Sequence, residues 1–341
     1  MVAVVLAWRA ARRPEPSCCW ELDFMDPILL AAGMVIAGLV LLYFGAEALV
    51  GGASSLAIRL GITPLIVGLT VVSFGTSAPE LLVGLIGSDD VNLGNVVGSN
   101  IANIMLILGL AATISPLKIE SRVVTHELPI MLAATGLFIG LSLDGSLTRI
   151  DGIILLTAMA GYIAYMFVGA RRDMKRMEAI VGDELSEIDP NQRKAIVDVL
   201  LMVGGIVGLA LGAKWMVDGA TTIAMTMGIS ELVIALSIVA IGTSLPELAT
   251  SVVAAFRGEA DISVGNVVGS NVFNLLFVMG VVACFGTIVV GEDALSIDLW
   301  VMAGISVLLW PLLRTGHSLK RWEGIVMVVG YVAYLVSMFM R

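Results

Sequence analysis

The sequence predicts an all-α polytopic membrane protein: ten transmembrane helices in two inverted five-helix repeats, with discontinuous helices at the second and seventh spans. Three observations predict it. First, 58% of the 341 residues are hydrophobic and only 14% are charged, at a mean hydropathy of +1.00. A soluble domain carries about 25% charged residues. Second, near-continuous apolar runs of roughly 20 residues, long enough to cross a bilayer, recur along the chain. They do not alternate as β-barrel strands do. Third, the chain repeats itself internally. The net charge of −9 and the lack of a basic face exclude nucleic-acid binding. Cys18, Cys19 and Cys284 form no disulfide or zinc framework. Nothing in the sequence calls for a cofactor or an obligatory protein partner; the lipid bilayer is the expected surroundings.

In chain order the spans are read at about 28–50, 62–86, 91–114, 124–144, 150–169, 195–217, 229–255, 263–285, 294–313 and 323–340. Residues 1–24 are an N-terminal extension or a mis-called start, because Met25 stands just before the first span. The first repeat covers 25–169, a soluble linker 170–194, and the second repeat 195–341. The linker mixes Arg171, Arg172, Lys175 and Arg176 with Asp183, Glu184, Glu187 and Asp189. A solvated linker explains these charges better than a cation site does. Lys and Arg concentrate in the linker and in the connections on its side: Arg59, Lys118, Arg122, Arg257, Arg314, Lys320 and Arg321. By the positive-inside rule the linker is cytoplasmic and both termini external, in a multi-pass protein of the cell (inner) membrane.

Residues 45–80 align without gaps with 212–247, and sixteen of 36 positions are identical. After a four-residue insertion, the string Asn95 to Asn100 recurs as Asn266 to Asn271. An odd number of spans per copy makes the copies run in opposite orientations. Inverted repeats are the build of many secondary transporters, with the substrate site near the midplane where the repeats meet.

The second span contains Ser73, Thr76, Ser77, Pro79 and Glu80; the seventh contains Ala240, Thr243, Ser244, Pro246 and Glu247. In each, Thr and Glu are four residues apart and share a helix face. A carboxylate inside a span costs about 2.5–3.5 kcal/mol on insertion scales and needs a compensating role. Each Pro removes an amide donor and breaks the helix near Gly75 or Gly242, leaving carbonyl oxygens beside the Glu. Irregular backbone survives in a membrane only inside protein or along a cavity. Carboxylate, hydroxyl and carbonyl oxygens suit a hard cation rather than zinc, copper or nickel. Two Glu, two Thr and freed carbonyls can supply the six to eight oxygens that Ca2+ prefers. The competing reading is a structural pair of buried Glu hydrogen-bonded to Asn neighbours.

The third and eighth spans open with Gly94 to Asn100 and Gly265 to Asn271. Their glycines are spaced for close helix packing. Ser99 with Asn103, and Ser270 with Asn274, share helix faces and either complete an ion site or tie helices together. Glu47, Lys214 and Asp218 lie near span ends, where snorkelling or pairing suffices.

These strings resemble the α-repeats of the cation/Ca2+ exchanger superfamily, most closely its prokaryotic sodium/calcium exchanger-like branch. The resemblance covers 45–110 and 212–281 strongly. It implies electrogenic antiport of Ca2+ against Na+, with one central Ca2+ site flanked by Na+ sites. It also implies sliding of the first and sixth helices across a stationary core. By motif position, Thr76, Glu80, Thr243 and Glu247 look like Ca2+ ligands. Ser73 and Ala240 through their carbonyls, with Ser77, Ser99, Ser244 and Ser270, look like Na+ ligands. Asn103 matches Asn in similar relatives; Asn274 stands where many relatives have Asp, which leaves two carboxylates. Ca2+/H+ or K+-coupled antiport is the main alternative, since protons compete for dehydrated carboxylates. An intramembrane carboxylate enzyme is a remote one, and a passive channel is disfavoured because a tight closed site slows conduction.

Overall fold

The computed structural model describes residues 27–86, 89–181, 195–228, 240–291 and 294–340. The expectations for residues 1–24, and for the first part of the seventh span, lie outside them. Within the described residues the chain is mostly helical. Among the described residues nine helices are long and apolar enough to cross a membrane, and Leu245–Phe256 is a shorter apolar helix. Ten spans are therefore not counted among the described residues, because 229–239 fall outside them.

Three helices outrun the apolar segments that predict them. Pro27–Leu60 has 34 residues, Arg149–Val181 has 33 and Ala195–Thr226 has 32. The charged stretch after residue 169 thus continues the fifth-span helix as far as Val181 rather than starting a loop. Arg, Lys, Met, Glu and Ala are all good helix formers, and polarity alone does not end a helix. At 1.5 Å per residue, the first of these is about 51 Å long, well beyond a hydrocarbon core of about 30 Å. Pro27–Leu60 and Ala195–Thr226 both end at a glycine in the left-handed region, Gly61 (φ 64°) and Gly228 (φ 80°), as helix C-termini commonly do. The two glycines occupy the same position in the two repeats.

These two long helices pack together along their length and run in opposite directions. Gly38 faces the Gly212 carbonyl, Gly45 faces Gly205 and Leu209, Gly52 faces the Asp198 carbonyl, and Gly219 faces the Ala31 carbonyl. A Cβ on Gly45 would stand 2.9 Å from the Leu209 nitrogen, so only glycine lets the backbones approach this closely. Equivalent helices that run antiparallel are what inverted copies require.

The other connections between halves are also reciprocal. Leu117–Lys118 pairs antiparallel with Ser318–Leu319, and Ser146–Leu147 pairs antiparallel with Ile288–Val289. Each pair takes one strand from each half. The spans Asn92–Ile114 and Ala260–Phe285 are the most enclosed, and both carry a π-helical turn, Asn103–Leu108 and Phe273–Val278. Gly265 and Gly269 pack against Leu65, Leu69 and Ser73 of the second span, as close helix approach predicts.

Candidate ion-binding site

The predicted helix breaks are present. In the second span, helix Ser73–Thr76 stops, Ser77 takes φ −82° and ψ 7°, and helix Ala78–Ile86 resumes. In the seventh, Ala240–Thr243 stops, Ser244 takes φ −88° and ψ 5°, and Leu245–Phe256 resumes. Proline at the second position of each new helix needs no amide partner there. Each break sets Thr just before the gap and Glu in the first turn after it.

Glu80 and Glu247 are wholly buried, and Thr76, Ser77, Ser73, Thr243 and Ser244 nearly so. The halves meet at these residues. Ser77 Oγ donates to Glu247 Oε1 at 3.2 Å, which brings Glu247 within one helical turn of Glu80. Thr76 Oγ1 donates to Asn266 Oδ1 at 3.1 Å and lies 3.4 Å from Ser270 Oγ. The mirrored contacts are Thr243 Oγ1 to Asn95 Oδ1 at 3.0 Å and Ser244 Oγ to Ser99 Oγ at 3.1 Å. Ser73 uses its hydroxyl elsewhere, donating to the Gly68 carbonyl at 2.7 Å and the Asn266 carbonyl at 3.1 Å. Its carbonyl accepts the Ser77 amide at 3.0 Å and the Thr76 hydroxyl at 3.3 Å. Ala240 opens the described part of its helix.

Asn103 and Asn274 are wholly buried and reach across to the opposite half. Asn103 Nδ2 donates to Asn271 Oδ1 at 3.0 Å; Asn274 Nδ2 donates to Asn100 Oδ1 at 3.3 Å. These asparagines therefore tie the helices through their amide nitrogens and leave their single side-chain oxygens unpaired. Among the described residues of the site, five buried oxygens have no hydrogen-bond partner: both of Glu80, Glu247 Oε2, Asn103 Oδ1 and Asn274 Oδ1. All five are acceptors only. Leaving a buried acceptor unpaired costs about 1–3 kcal/mol, and a cation relieves that cost for several at once. The glutamates are not held by Asn side chains, as the structural reading of the pair requires. Among the described residues no group of three or more His, Cys, Asp or Glu could hold a metal, so the charge of this cluster comes from two carboxylates.

Asn95, Asn100, Asn266 and Asn271 were not singled out by spacing, although all four lie in the repeated string. Their recurrence at the same place in both copies was the available signal. Lys214 pairs with Asp218 at 2.6 Å and Glu47 with Arg257 at 2.7 Å, the pairing anticipated for charges near span ends.

A duplicated helical membrane protein whose halves converge on buried carboxylate, hydroxyl and amide oxygens is a transporter of small cations rather than an enzyme. The chain belongs to the sodium/calcium exchanger protein family, whose model matches residues 30–168 and 197–340. It is 37% identical to the inner membrane protein YrbG of Escherichia coli, over 92% of this chain and 98% of that one. It is 31% identical to the sodium/calcium exchanger MaX1 of Methanosarcina acetivorans, over 90% and 97% of the two chains. Its fold matches the sodium-calcium exchanger NCX_Mj with a TM-score of 0.77 at 31% identity, covering 91% of this chain and 99% of that one. The protein is thus a multi-pass cation/Ca2+ exchanger; the transported ions are its substrates and it needs no cofactor.

Proposed function

We propose that this chain exchanges Ca2+ for Na+ across the membrane by alternating access. The observation that carries the reading is the meeting of Glu80 and Glu247, one from each repeat, with three of their four carboxylate oxygens unpartnered. Two carboxylates balance one Ca2+, and Thr76, Thr243, Asn103 and Asn274 add neutral oxygens of the kind Ca2+ takes. Ser77, Ser99, Ser244 and Ser270, with the Ser73 and Ala240 carbonyls, form the flanking Na+ positions. A proton needs no such cage of neutral oxygens, which favours Na+ over H+ as the coupling ion.

The long helices Pro27–Leu60 and Ala195–Thr226 are the moving pair in this reading. Their glycine-lined contact is the most extensive between any two of the described helices, which suits motion as one body. The repeats are 25–169 and 195–341. The 170–194 segment faces the cytoplasm and both termini lie outside, on the argument from Lys and Arg.

The test is Ca2+ uptake into proteoliposomes driven by an imposed Na+, K+ or pH gradient. Uptake that follows the Na+ gradient is expected. Uptake driven by pH or K+ alone, indifferent to Na+, replaces this coupling with H+ or K+.

A further inference from the structure

The two threonines of the site are held differently. Thr76 Oγ1 donates to Asn266 Oδ1 at 3.1 Å, with the Ser73 carbonyl a longer second acceptor at 3.3 Å. Asn266 itself cannot turn over. Its Nδ2 donates to Ser251 Oγ at 3.0 Å and to the Glu247 main-chain carbonyl at 3.3 Å. Flipping the amide would set its oxygen against that carbonyl, acceptor against acceptor. Ser251 and Asn266 are both wholly buried, so no water competes for these bonds.

The mirrored arrangement lacks the lock. Thr243 Oγ1 donates to Asn95 Oδ1, but the residue equivalent to Ser251 in the first repeat is Gly84. Asn95 Nδ2 is buried with no hydrogen-bond partner. Among the described residues, Thr243 is the one hydrogen-bond partner that orients the Asn95 side-chain amide. Gly84 has no room to acquire the missing hydroxyl cheaply, since a Cβ there would stand 2.7 Å from Val282 Cγ2.

A hydroxyl has one hydrogen and two lone pairs. When its hydrogen is committed to an asparagine oxygen, only lone pairs remain to face a cation. We infer that Asn266, locked by Ser251, is a positioning residue that makes the Thr76 hydroxyl a pure acceptor for the transported cation, while the unlocked Asn95 holds Thr243 more loosely. The inference rests on the proposed role of Thr76, Glu80, Thr243 and Glu247 as cation ligands. The site is then preorganised on one side and adaptable on the other. Preorganised oxygens need no reorientation when the ion arrives, so the locked side contributes more to affinity and to discrimination by ion size.

The test is exchange of radiolabelled Ca2+ for unlabelled Ca2+ across proteoliposomes containing the full chain, which does not depend on the coupling ion. Asn266→Ala is expected to raise the KM for Ca2+ about tenfold and Ser251→Ala about threefold, the scale of one or two hydrogen bonds. The maximal rate stays within about twofold, and the preference for Ca2+ over Sr2+ narrows. Asn95→Ala moves KM less than Asn266→Ala. A merely structural role lowers the maximal rate and leaves KM and the Ca2+/Sr2+ ratio in place. Unchanged KM and ion preference in Ser251→Ala overturn the inference, even should Asn266→Ala fail to fold. Glu80→Gln and Glu247→Gln, run beside them, separate the two levels. If those variants exchange Ca2+ normally, the site itself is wrong. If they are inactive while the asparagine and serine variants match the parent, only the positioning inference falls.

Discussion

The two halves carry the same motif in different company. Glu80 keeps both carboxylate oxygens unpartnered, whereas Glu247 has one oxygen bound by Ser77 of the other half. The long helices differ in the same way. Gly52 faces the Asp198 carbonyl at one end of their contact, and Gly219 faces the Ala31 carbonyl at the other. Asp198 is paired with Arg59 at 3.1 Å, but the equivalent positions at the opposite end are Ala31 and Thr226. The turn between the motif and the asparagine string is longer in the second repeat. That turn carries Arg257 and Glu259, which bind Glu47 and Ser54 of the first long helix at 2.7 Å each. Glu47's own counterpart is Lys214, which pairs within its helix. Duplication thus preserved the threonine, serine, proline and glutamate of the motif and let their supports diverge. Arg59–Asp198 and Glu47–Arg257 thus tie the first long helix to the second repeat by charge.

The comparison can be broken at several strengths. The largest effect is expected from Glu80→Gln or Glu247→Gln, each of which should abolish Ca2+ transport at near-normal protein yield; near-normal transport by both would remove the assignment. Equal severity of the two would mean that the Ser77 contact matters little beside the charge. Next comes Asn274→Asp. It adds a third carboxylate and removes the amide that donates to Asn100, so the charge moved per Ca2+ should change. Solid-supported-membrane currents set against Ca2+ flux measure this, and an unaltered ratio speaks against a coupling role.

Arg59→Ala should lower stability by about 3 kcal/mol, because it strands a wholly buried carboxylate. Thermal unfolding in detergent reads the loss; Thr226→Ala at the mirrored position should change the midpoint little. The smallest effect is expected from Arg257→Ala. Both partners of this pair are more than a third exposed or nearly so, at 39% and 34%, and exposed pairs contribute about 1 kcal/mol or less. A larger loss of stability would mark the extra turn as more than a surface contact.

Much of the site was readable from residue order. The Thr–Ser–x–Pro–Glu spacing sets the hydroxyl, the helix break and the carboxylate within one turn of one another, and all three consequences are local. The helix breaks at Ser77 and Ser244 follow from Pro79 and Pro246 in this way. Helix ends were less legible. The long helices pass through Gly51 and Gly52, and through the equivalent Asp218 and Gly219, because tertiary packing rewards glycine on the face where the two backbones touch. The locking of Asn266 was hidden for a different reason. Thr76 and Asn266 stand 190 residues apart, and Thr243 and Asn95 stand 148 apart. Whether such pairs meet depends on how helices cross.

By itself, the sequence determined the membrane class, the duplication and the two intramembrane glutamates. Hydropathy, repeat spacing and the cost of a charge in lipid all act along the chain and need no knowledge of neighbours. Only the tertiary structure decided which oxygens remain unpartnered, which asparagine is locked, and where the charges of one repeat are tied to the other. Each of those depends on a partner supplied by a distant segment, at distances where a few tenths of an ångström separate a hydrogen bond from none.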